Sequence, residues 1–400
     1  MEKVHTEGVN HADVIVIGAG VLGTFHAYHA ACQGYKTLLL ERNVLPSAAS
    51  TRNFGMVMRT IVETGGAWAE YARLSQEIYR RLQYDHDITV AEAGSLYVAS
   101  TALESQVLAE FAQRYGQEYS CTYLTASEAL RRYTFLQQAY CQGVLHFPED
   151  LVIEPQQMLR QFIAYLVAQN TIEYRPQTTV IAVEARGEGC IVRSADGKTF
   201  TADHVFVCSG VEYRTLFPAS FIKSQLQICK LQMMRTVPQP GPLLPHALLS
   251  GLSIMRYPAF KTCPSYTRLA EQEVDQSVRD YGIHVLFKQA VDHSIIIGDS
   301  HIYTSCSEAS GGEEYTDWQI NEAIVRYGQW MLNLPTWKIQ QLWNGYYMVN
   351  PHSDIYTETI DGVIHIVTGI AGKGMSTGPG FSYHHIKQTL VRRQALIDTA

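Results

Sequence analysis

Gly18, Gly20 and Gly23 form a Gly-x-Gly-x-x-Gly turn, and Glu41 stands 23 residues after the first of them. This spacing suits a dinucleotide. Gly18 permits a tight turn, Gly20 lets the backbone approach a pyrophosphate, and Gly23 lets the next helix pack close to the preceding strand. The amides at that helix's N-terminus then face the phosphates. Glu41 can accept hydrogen bonds from ribose hydroxyls, and its neighbour Arg42 is counted with the same nucleotide contacts. The fingerprint alone serves NAD and FAD alike, and a Rossmann-like unit that binds no nucleotide carries similar glycines.

Two further stretches could hold charge. Ser47-Ala-Ala-Ser-Thr-Arg-Asn-Phe-Gly55 offers hydroxyls and amides for phosphate, with Gly55 letting the chain pass close to a ring. Its bland reading is an ordinary polar loop. Gly369-Ile-Ala-Gly-Lys-Gly-Met-Ser-Thr-Gly-Pro379 follows a strand and opens a helix, so its amides converge on a negative site. An NAD dehydrogenase has no need of a second glycine-rich turn this late in the chain.

These residues need elements to place them. The run from Asp13 to Gly18 is continuously apolar and β-branched, as in a buried parallel strand. Val21 to Gly34 reads as a helix ended by Gly34, and Lys36 to Glu41 as the second buried strand. Together they make a βαβ unit of about thirty residues. Trp68, Tyr71, Leu74, Ile78 and Leu82 recur at helical spacing within Thr64 to Leu82. Glu92 to Ser100 predicts a strand, Leu103 to Tyr115 a helix, and Pro155 to Gln169 a helix with proline in its first turn. Thr178 to Ala185, Cys190 to Ser194 and Val205 to Cys208 resemble a meander returning to a buried strand that ends at Gly210. Apolar alternation then runs from Gln225 to Asp299, broken by the passage from Pro238 to Pro245. Thr316 to Leu332 predicts a helix, Val363 to Thr368 a strand, and Gly380 to Asp398 a final helix.

At 400 residues two intertwined domains are expected. The net charge of −7 argues against a nucleic-acid partner, which would call for a basic patch. No run of about 18 apolar residues occurs, so no membrane span is expected. The polar N-terminus, Met1 to His11, lacks a charged-then-apolar leader pattern, leaving the cytoplasm as the default compartment. Eight cysteines without a Cys-x-x-Cys pair give no support for a metal or for a disulfide framework.

On these segments the chain resembles the glycine oxidase, sarcosine oxidase and D-amino-acid dehydrogenase group of flavoproteins, the DAO family, over essentially its whole length. Ser50, Arg52, Asn53 and Gly55 match a Ser-x-Arg-Asn-x-Gly segment that in the family wraps the pyrophosphate and runs beneath the flavin ring. Thr179-Val180 matches the place where a valine backbone contacts adenine, and Val205 to Gly210 the strand returning beneath the dinucleotide. Gly372, Lys373, Gly374 and Met375 fit the turn that contacts the ribityl chain and the pyrimidine edge. Its amides stabilise negative charge on the reduced ring. The resemblance implies FAD, held non-covalently because the flavin-linking cysteine of sarcosine oxidases has no counterpart here. It also implies a hydride leaving the carbon beside a neutral amine, hydrolysis of the imine, and oxygen or a quinone as electron acceptor. The cofactor carries that chemistry, so no general base is nominated. The implied fold is an α/β Rossmann-like FAD-binding domain, built discontinuously from residues 1–85, 150–215 and 335–400. An α+β substrate domain with a mainly antiparallel sheet comes from residues 86–149 and 216–334.

Family members that act on amino acids often carry Trp-x-Gly-x-Arg before the last strand, the arginine gripping the substrate carboxylate with two hydrogen bonds. Here Trp343-Asn-Gly-Tyr-Tyr-Met348 puts Tyr347 where that arginine would stand. Arg52 to Val57 and Gly298 to Tyr303 resemble a narrower subgroup associated with breakdown of 2-aminoethylphosphonate and its N-methylated relatives. A phosphonate, with three oxygens and up to two charges, suits tyrosine, histidine and cationic donors. His301, Tyr346, Tyr347 and Lys373 are therefore the candidate catalytic contacts, with Arg59 and Arg256 as charge partners. His284 and Lys288 lie on an alternating strand, of which one face at most sees the site. Each candidate also has a purely structural reading: packing tyrosines, a satisfied core histidine, surface arginines. The expected reaction is C–N oxidation of a small aminophosphonate such as N-methyl-2-aminoethylphosphonate. The alternatives are a D-amino-acid, glycine or sarcosine-type enzyme, a 2-hydroxy-acid dehydrogenase, and a non-catalytic flavin-binding module.

Overall fold

The computed structural model describes residues 10–307 and 315–397, with side chains described as far as residue 390. Residues 1–9 of the polar N-terminus and the end of the final helix at Asp398 lie outside this range. β1 (Asn10–Ile17), α1 (Val21–Cys32) and β2 (Thr37–Leu40) form the expected unit, with β1 and β2 parallel. Val14, Ile15 and Val16 are fully buried on both faces, which is why the run is apolar throughout instead of alternating. On its other side β1 pairs in parallel with Thr199–Val207, and that strand pairs in parallel with Ile364–Thr368. Glu173–Arg175 extends the sheet beyond β2, while Tyr356–Ile360 lies antiparallel at the opposite edge. Three remote parts of the chain thus meet in one sheet. The hairpin of Val180–Arg186 and Gly189–Ser194 pairs with the first half of Thr199–Val207.

A second sheet of nine strands is antiparallel except where Ser95–Ala99 meets Ala247–Ser250. Its organising strand is Gln227–Thr236, flanked by Ile302–Ser305 and Ile295–Gly298 on one side and by Ile339–Val349 on the other. Ile339–Val349 falls in a segment the sequence reading grouped with the FAD-binding part. Its hydrogen bonds place it in the second sheet, and the chain rejoins the first only at Tyr356. The stretch from 225 to 299 also differs from its alternating pattern, for it includes short helical turns at Gly251–Arg256, Pro258–Thr262, Tyr266–Ala270 and Gln276–Asp280. Elements of five or six residues are too short to display a helical period.

The C-terminal helix, Gly374–Ile397, begins six residues before the expected start and contains Pro379. Its glycines set its depth. A Cβ on Gly380 would stand 2.3 Å from the Tyr71 carbonyl of α2 (Gly66–Asp85), and the Gly380 N–H donates to Ser75 Oγ at 2.9 Å. No helix among the described residues is long and apolar enough to cross a membrane. All eight cysteines are unpaired.

Where α2 meets Ser95–Ala99, the Asp150 carboxyl is buried and accepts from Ser95 Oγ at 2.5 Å and Gln76 Nε2 at 3.3 Å. Burial pushes it up from 3.8 to about 7, against the pull of Ser95 and of Arg59. The folded chain therefore keeps a proton that the unfolded chain releases. Stability is full below the unfolded value near 3.8 and declines as pH rises toward about 7. Asp150→Asn is expected to flatten this decline. Thermal denaturation across pH checks it: the variant should melt above wild type at pH 8 and show little gain at pH 4.

Candidate active site

A cavity of about 510 Å³ runs from Gly20, Glu41 and Arg42, past Ser47–Gly55 and Gly372–Met375, to Arg256, His284, Asp299, His301 and Tyr303. That is within the range of pockets that bury small molecules. It is bounded by both sheets, so the turn after β1 forms one end and the face of the second sheet the other.

At the first end, Gly18 has φ +96°, and a Cβ there would lie 2.4 Å from the Cys208 carbonyl. A Cβ on Gly23 would lie 1.8 Å from the Gly18 carbonyl, so these two glycines are demanded by the protein's own backbone. Gly20 differs: its backbone suits any residue, but a Cβ would meet Ser50 Oγ at 2.9 Å inside the cavity. Ser50 Oγ itself accepts from the Val21 N–H at 3.0 Å, at the start of α1. The buried Glu41 carboxylate accepts the Ala19 and Asn43 amides, each at 2.9 Å, bracing the turn against the end of β2. Glu41 lines the cavity wall that Arg42 continues, with Arg42 paired to Glu212 at 3.2 Å. Asn53 shapes its own loop, donating to Ala49 O at 2.9 Å and accepting from the Gly55 N–H at 2.7 Å. Arg52 donates to Asn344 O and accepts from the Trp343 indole, tying this loop to the second sheet. Gly55 has φ +72°, and a Cβ would lie 2.0 Å from Ile153 O, so the closest approach it permits is to the protein's own chain. Gly210 joins the wall, its carbonyl accepting from Thr368 Oγ1 at 2.7 Å. The Val180 side chain packs in the core with Ile17 and Leu40, which leaves its backbone for the adenine contact that the resemblance implies.

At the other end, sheet register decides which side chains meet. Cys229 stands opposite both Tyr303 and Tyr347, so these three share one face, and Leu231 with Gly345 continues it toward Arg52. Tyr346 also lines the cavity, but it pairs with Lys230, so its side chain leaves the strand on the opposite face to Tyr347. The adjacent tyrosines expected from the sequence therefore both reach the cavity wall, but with their side chains on opposite faces of the strand. Tyr347 is the one beside the glycine-rich turn, its hydroxyl 3.4 Å from where a Cβ on Gly372 would lie. Lys373 lines the cavity with Gly372, Gly374 and Met375, but its ammonium is engaged by Asp354 and lies 5.0 Å from the centre of the Trp68 ring. Arg59 is elsewhere, paired with Glu118 at 3.4 Å and stacked on Tyr119, a structural role. Lys288 is also buried away from the cavity, 2.8 Å from Glu154. Arg256, for which the sequence alone equally allows a surface position, lines the cavity and donates to Tyr303 Oη at 3.2 Å. Burial pushes the Tyr347 phenol upward, and Tyr303, although 45% exposed, has its phenolic end desolvated and is raised too, so both keep their protons as donors.

Asp299 joins His284 and His301 in this wall, 2.9 Å from His284 Nδ1 and 3.8 Å from His301 Nε2. Neither Asp299 nor Tyr303 is among the candidates the sequence offers, although both stand in the stretch from Gly298 to Tyr303. Burial lowers His301 to about 3, opposed by Asp299 and reinforced by Arg256. Burial alone would raise Asp299, but its two histidine neighbours and Arg256 outweigh it and lower it; with His301 neutral, the permanent charge among them is that of Arg256.

A helix N-terminus with a glycine cradle, a carboxylate at the end of β2 and a second glycine-rich turn along one cavity fit an elongated, phosphate-bearing dinucleotide with a ring. Residues 13–384 match the family model described as DAO, FAD dependent oxidoreductase. The chain belongs to this family. Its cofactor is FAD. Glycine oxidase from Bacillus licheniformis is 30% identical over 217 residues, which are 51% of this chain and 56% of that protein. The 4-methylaminobutanoate oxidase (formaldehyde-forming) of Paenarthrobacter nicotinovorans is 27% identical over 220 residues, 54% of this chain and 26% of that one. The chain thus matches only about half the length of the glycine oxidase. The fold extends further: glycine oxidase from Geobacillus kaustophilus superposes with a TM-score of 0.74 over 96% of this chain and 95% of its own, at 17% identity.

In this DAO-family chain Gly20→Ala separates cofactor approach from folding, because only Ser50 and the cavity receive the added methyl. Overpacking of this kind costs about 1–3 kcal/mol, so FAD affinity should fall about tenfold or more. Titrating FAD into apoprotein, with melting temperature followed in parallel, checks that the loss lies in binding.

Proposed function

We propose that this protein oxidises the C–N bond of a small amine that also carries an anion, with an aminophosphonate such as N-methyl-2-aminoethylphosphonate as the substrate class. The observation that carries this reading is Arg256, inside the cavity and hydrogen-bonded to Tyr303, with the Tyr347 hydroxyl on the same sheet face. A guanidinium fork with phenolic donors suits the several oxygens of a phosphonate. It takes up the anion-binding task that Tyr347, standing where other members place an arginine, leaves open. Relatives named as a glycine oxidase and a methylaminobutanoate oxidase support oxidation beside nitrogen.

FAD, when bound, accepts the hydride. The chain's own groups do the rest: Arg256, Tyr303 and Tyr347 fix the anion, and so the position of the carbon beside the amine, while the apolar face of Leu231 and Leu286 limits water. The imine then hydrolyses, and oxygen or a quinone removes the electrons. FAD is held without a covalent bond in this reading. Cys208, the one cysteine lining the cavity among the described residues, sits under the Gly18 turn at the dinucleotide end. A 2-hydroxy-acid substrate is the second reading, favoured by one observation: the neutral His301 ring could take a hydroxyl proton.

Anaerobic bleaching of the flavin tests the assignment, using N-methyl-2-aminoethylphosphonate, 2-aminoethylphosphonate, sarcosine, glycine, D-alanine and 2-hydroxyglutarate. Bleaching by aminophosphonates ahead of the others is the expected result; bleaching by glycine, sarcosine or 2-hydroxyglutarate alone overturns it. Arg256→Gln removes a charge-assisted contact of about 1.5–3 kcal/mol. The half-saturating aminophosphonate concentration should rise at least about tenfold, with a much smaller change for an amine lacking the anion.

A further inference from the structure

Two hydrogen-bond acceptors converge on one point of the cavity wall. His301 Nδ1 lies 3.0 Å from the Gly282 carbonyl, which can only accept, so Nδ1 bears the ring proton and Nε2 a lone pair. That Nε2 is 3.8 Å from Asp299 Oδ2, and an ionised carboxylate also only accepts. The other carboxylate oxygen, Oδ1, lies 2.9 Å from His284 Nδ1, an approach too poorly aligned for a hydrogen bond, which leaves both atoms buried without a hydrogen-bond partner. Asp299 and His284 are locked together by reciprocal backbone bonds of 2.9 and 3.1 Å. Asp299 is 6% and His301 7% exposed, so both acceptors are withdrawn from bulk water but open to the cavity. A pair of acceptors this close calls for a shared donor or cation.

We propose that His301 Nε2 and Asp299 Oδ2 receive the substrate's ammonium and that His301 takes its proton before the C–N bond is oxidised. The inference rests on the amine reading above and adds the base that the sequence did not reveal. Only a neutral amine has the lone pair that can follow a departing hydride, whereas a simple alkylamine is protonated at pH 7. In the step, one N–H bond of the ammonium breaks and its electron pair stays on nitrogen. The proton forms a new bond at Nε2, and the positive charge moves from the substrate to the imidazole beside Asp299. No oxidant enters. His284, acting through Asp299, is a positioning residue.

The surrounding charges support this direction. Facing His301 are Asp299, His284 and Arg256, with Tyr347 at 6.4 Å between ring centres; Tyr257, Tyr303 and Cys229 complete the shell. Arg256 opposes a second fixed cation, so an arriving ammonium is driven to give up its proton. The anion that pairs with Arg256 removes that opposition to imidazolium at the same moment. Burial, the largest cause, lowers His301 to about 3 in the free protein, so the ring is neutral when substrate arrives and is a weak proton acceptor until Asp299 and the anion on Arg256 stabilise the imidazolium.

The test uses the FAD-loaded protein and two substrates. One is N-methyl-2-aminoethylphosphonate; the other is its N-(2,2,2-trifluoroethyl) counterpart, whose electron-withdrawing group leaves the amine neutral at pH 7. Anaerobic bleaching by the ordinary amine at pH 7 should slow about a hundredfold in His301→Asn and Asp299→Asn. It should recover as pH rises toward the amine's own pKa, and the loss with the trifluoroethyl amine should stay below about tenfold. FAD absorbance and melting temperature establish that each variant is folded and loaded. A readout without turnover is the ¹⁵N signal of His301 Nε2 with 2-amino-2-methylpropylphosphonate, which has no hydrogen on the carbon beside nitrogen; it should move to the protonated position. Equal losses with both amines, or an Nε2 signal that does not move, would sink the proposal. So would a stoichiometric divalent ion held by His284, Asp299 and His301 and lost in Asp299→Asn. Bleaching of wild type by no amine at all would instead overturn the amine reading on which the proposal stands.

Discussion

The turn between β1 and α1 must touch the end of strand Thr199–Val207, and the molecule is arranged around that contact. With the Cβ position of Gly18 only 2.4 Å from the Cys208 carbonyl, and that of Gly23 1.8 Å from the Gly18 carbonyl, no side chain fits at either place. The contact fixes β1 beside Thr199–Val207, and Thr199–Val207 in turn fixes Ile364–Thr368 in parallel. The glycine-rich turn that follows Thr368 is therefore carried to the same cavity as the glycine-rich turn that follows Ile17. Two sets of backbone amides, separated by most of the chain, come to face one cavity because three strands are neighbours in one sheet.

The second sheet solves a different problem, that of keeping charge inside a partly apolar wall. Arg256, His284 and the link that carries both Asp299 and His301 come from three separate parts of the chain, yet each of the four lies against another of the set. A lone buried carboxylate here would tend to protonate, and a lone guanidinium would be costly. Together they hold Asp299 ionised and His301 neutral, a combination that neither burial nor charge would produce alone. The strand Ile339–Val349 links the two halves: its Trp343 indole bonds Arg52 in the loop after β2, and its Tyr347 faces the turn at Gly372.

Much of the dinucleotide end was legible from the residues. A buried strand, a glycine turn, a helix and a strand ending in an acid are local features, dictated by sterics and period within about thirty residues. The loop at Ser47–Gly55 and the turn at Gly369–Pro379 could be picked out for the same reason: glycine, hydroxyl and amide patterns are written in adjacent positions. Even there the sequence misjudged why Gly55 is needed, since the atom closest to it belongs to Ile153, a residue almost a hundred positions away. The C-terminal helix began early because Gly374 and Gly378 fit close packing, which outweighs their poor helical propensity.

The substrate end was legible only as a list of residue types. Tyr346 and Tyr347 look equivalent in sequence; strand alternation sends them to opposite faces, and register decides that Tyr347 is the one sharing a face with Cys229 and Tyr303. Arg59 and Arg256 look equally like surface cations, and only tertiary packing sends the first to Glu118 and the second into the cavity. Asp299 and its two histidines acquire meaning through distances of 2.9 and 3.8 Å that no spacing predicts. Sequence by itself determined the nucleotide-binding unit, because its geometry is set by neighbours along the chain. Which charges face one another was decided by the pairing of strands remote in sequence, because electrostatics depends on distance in space.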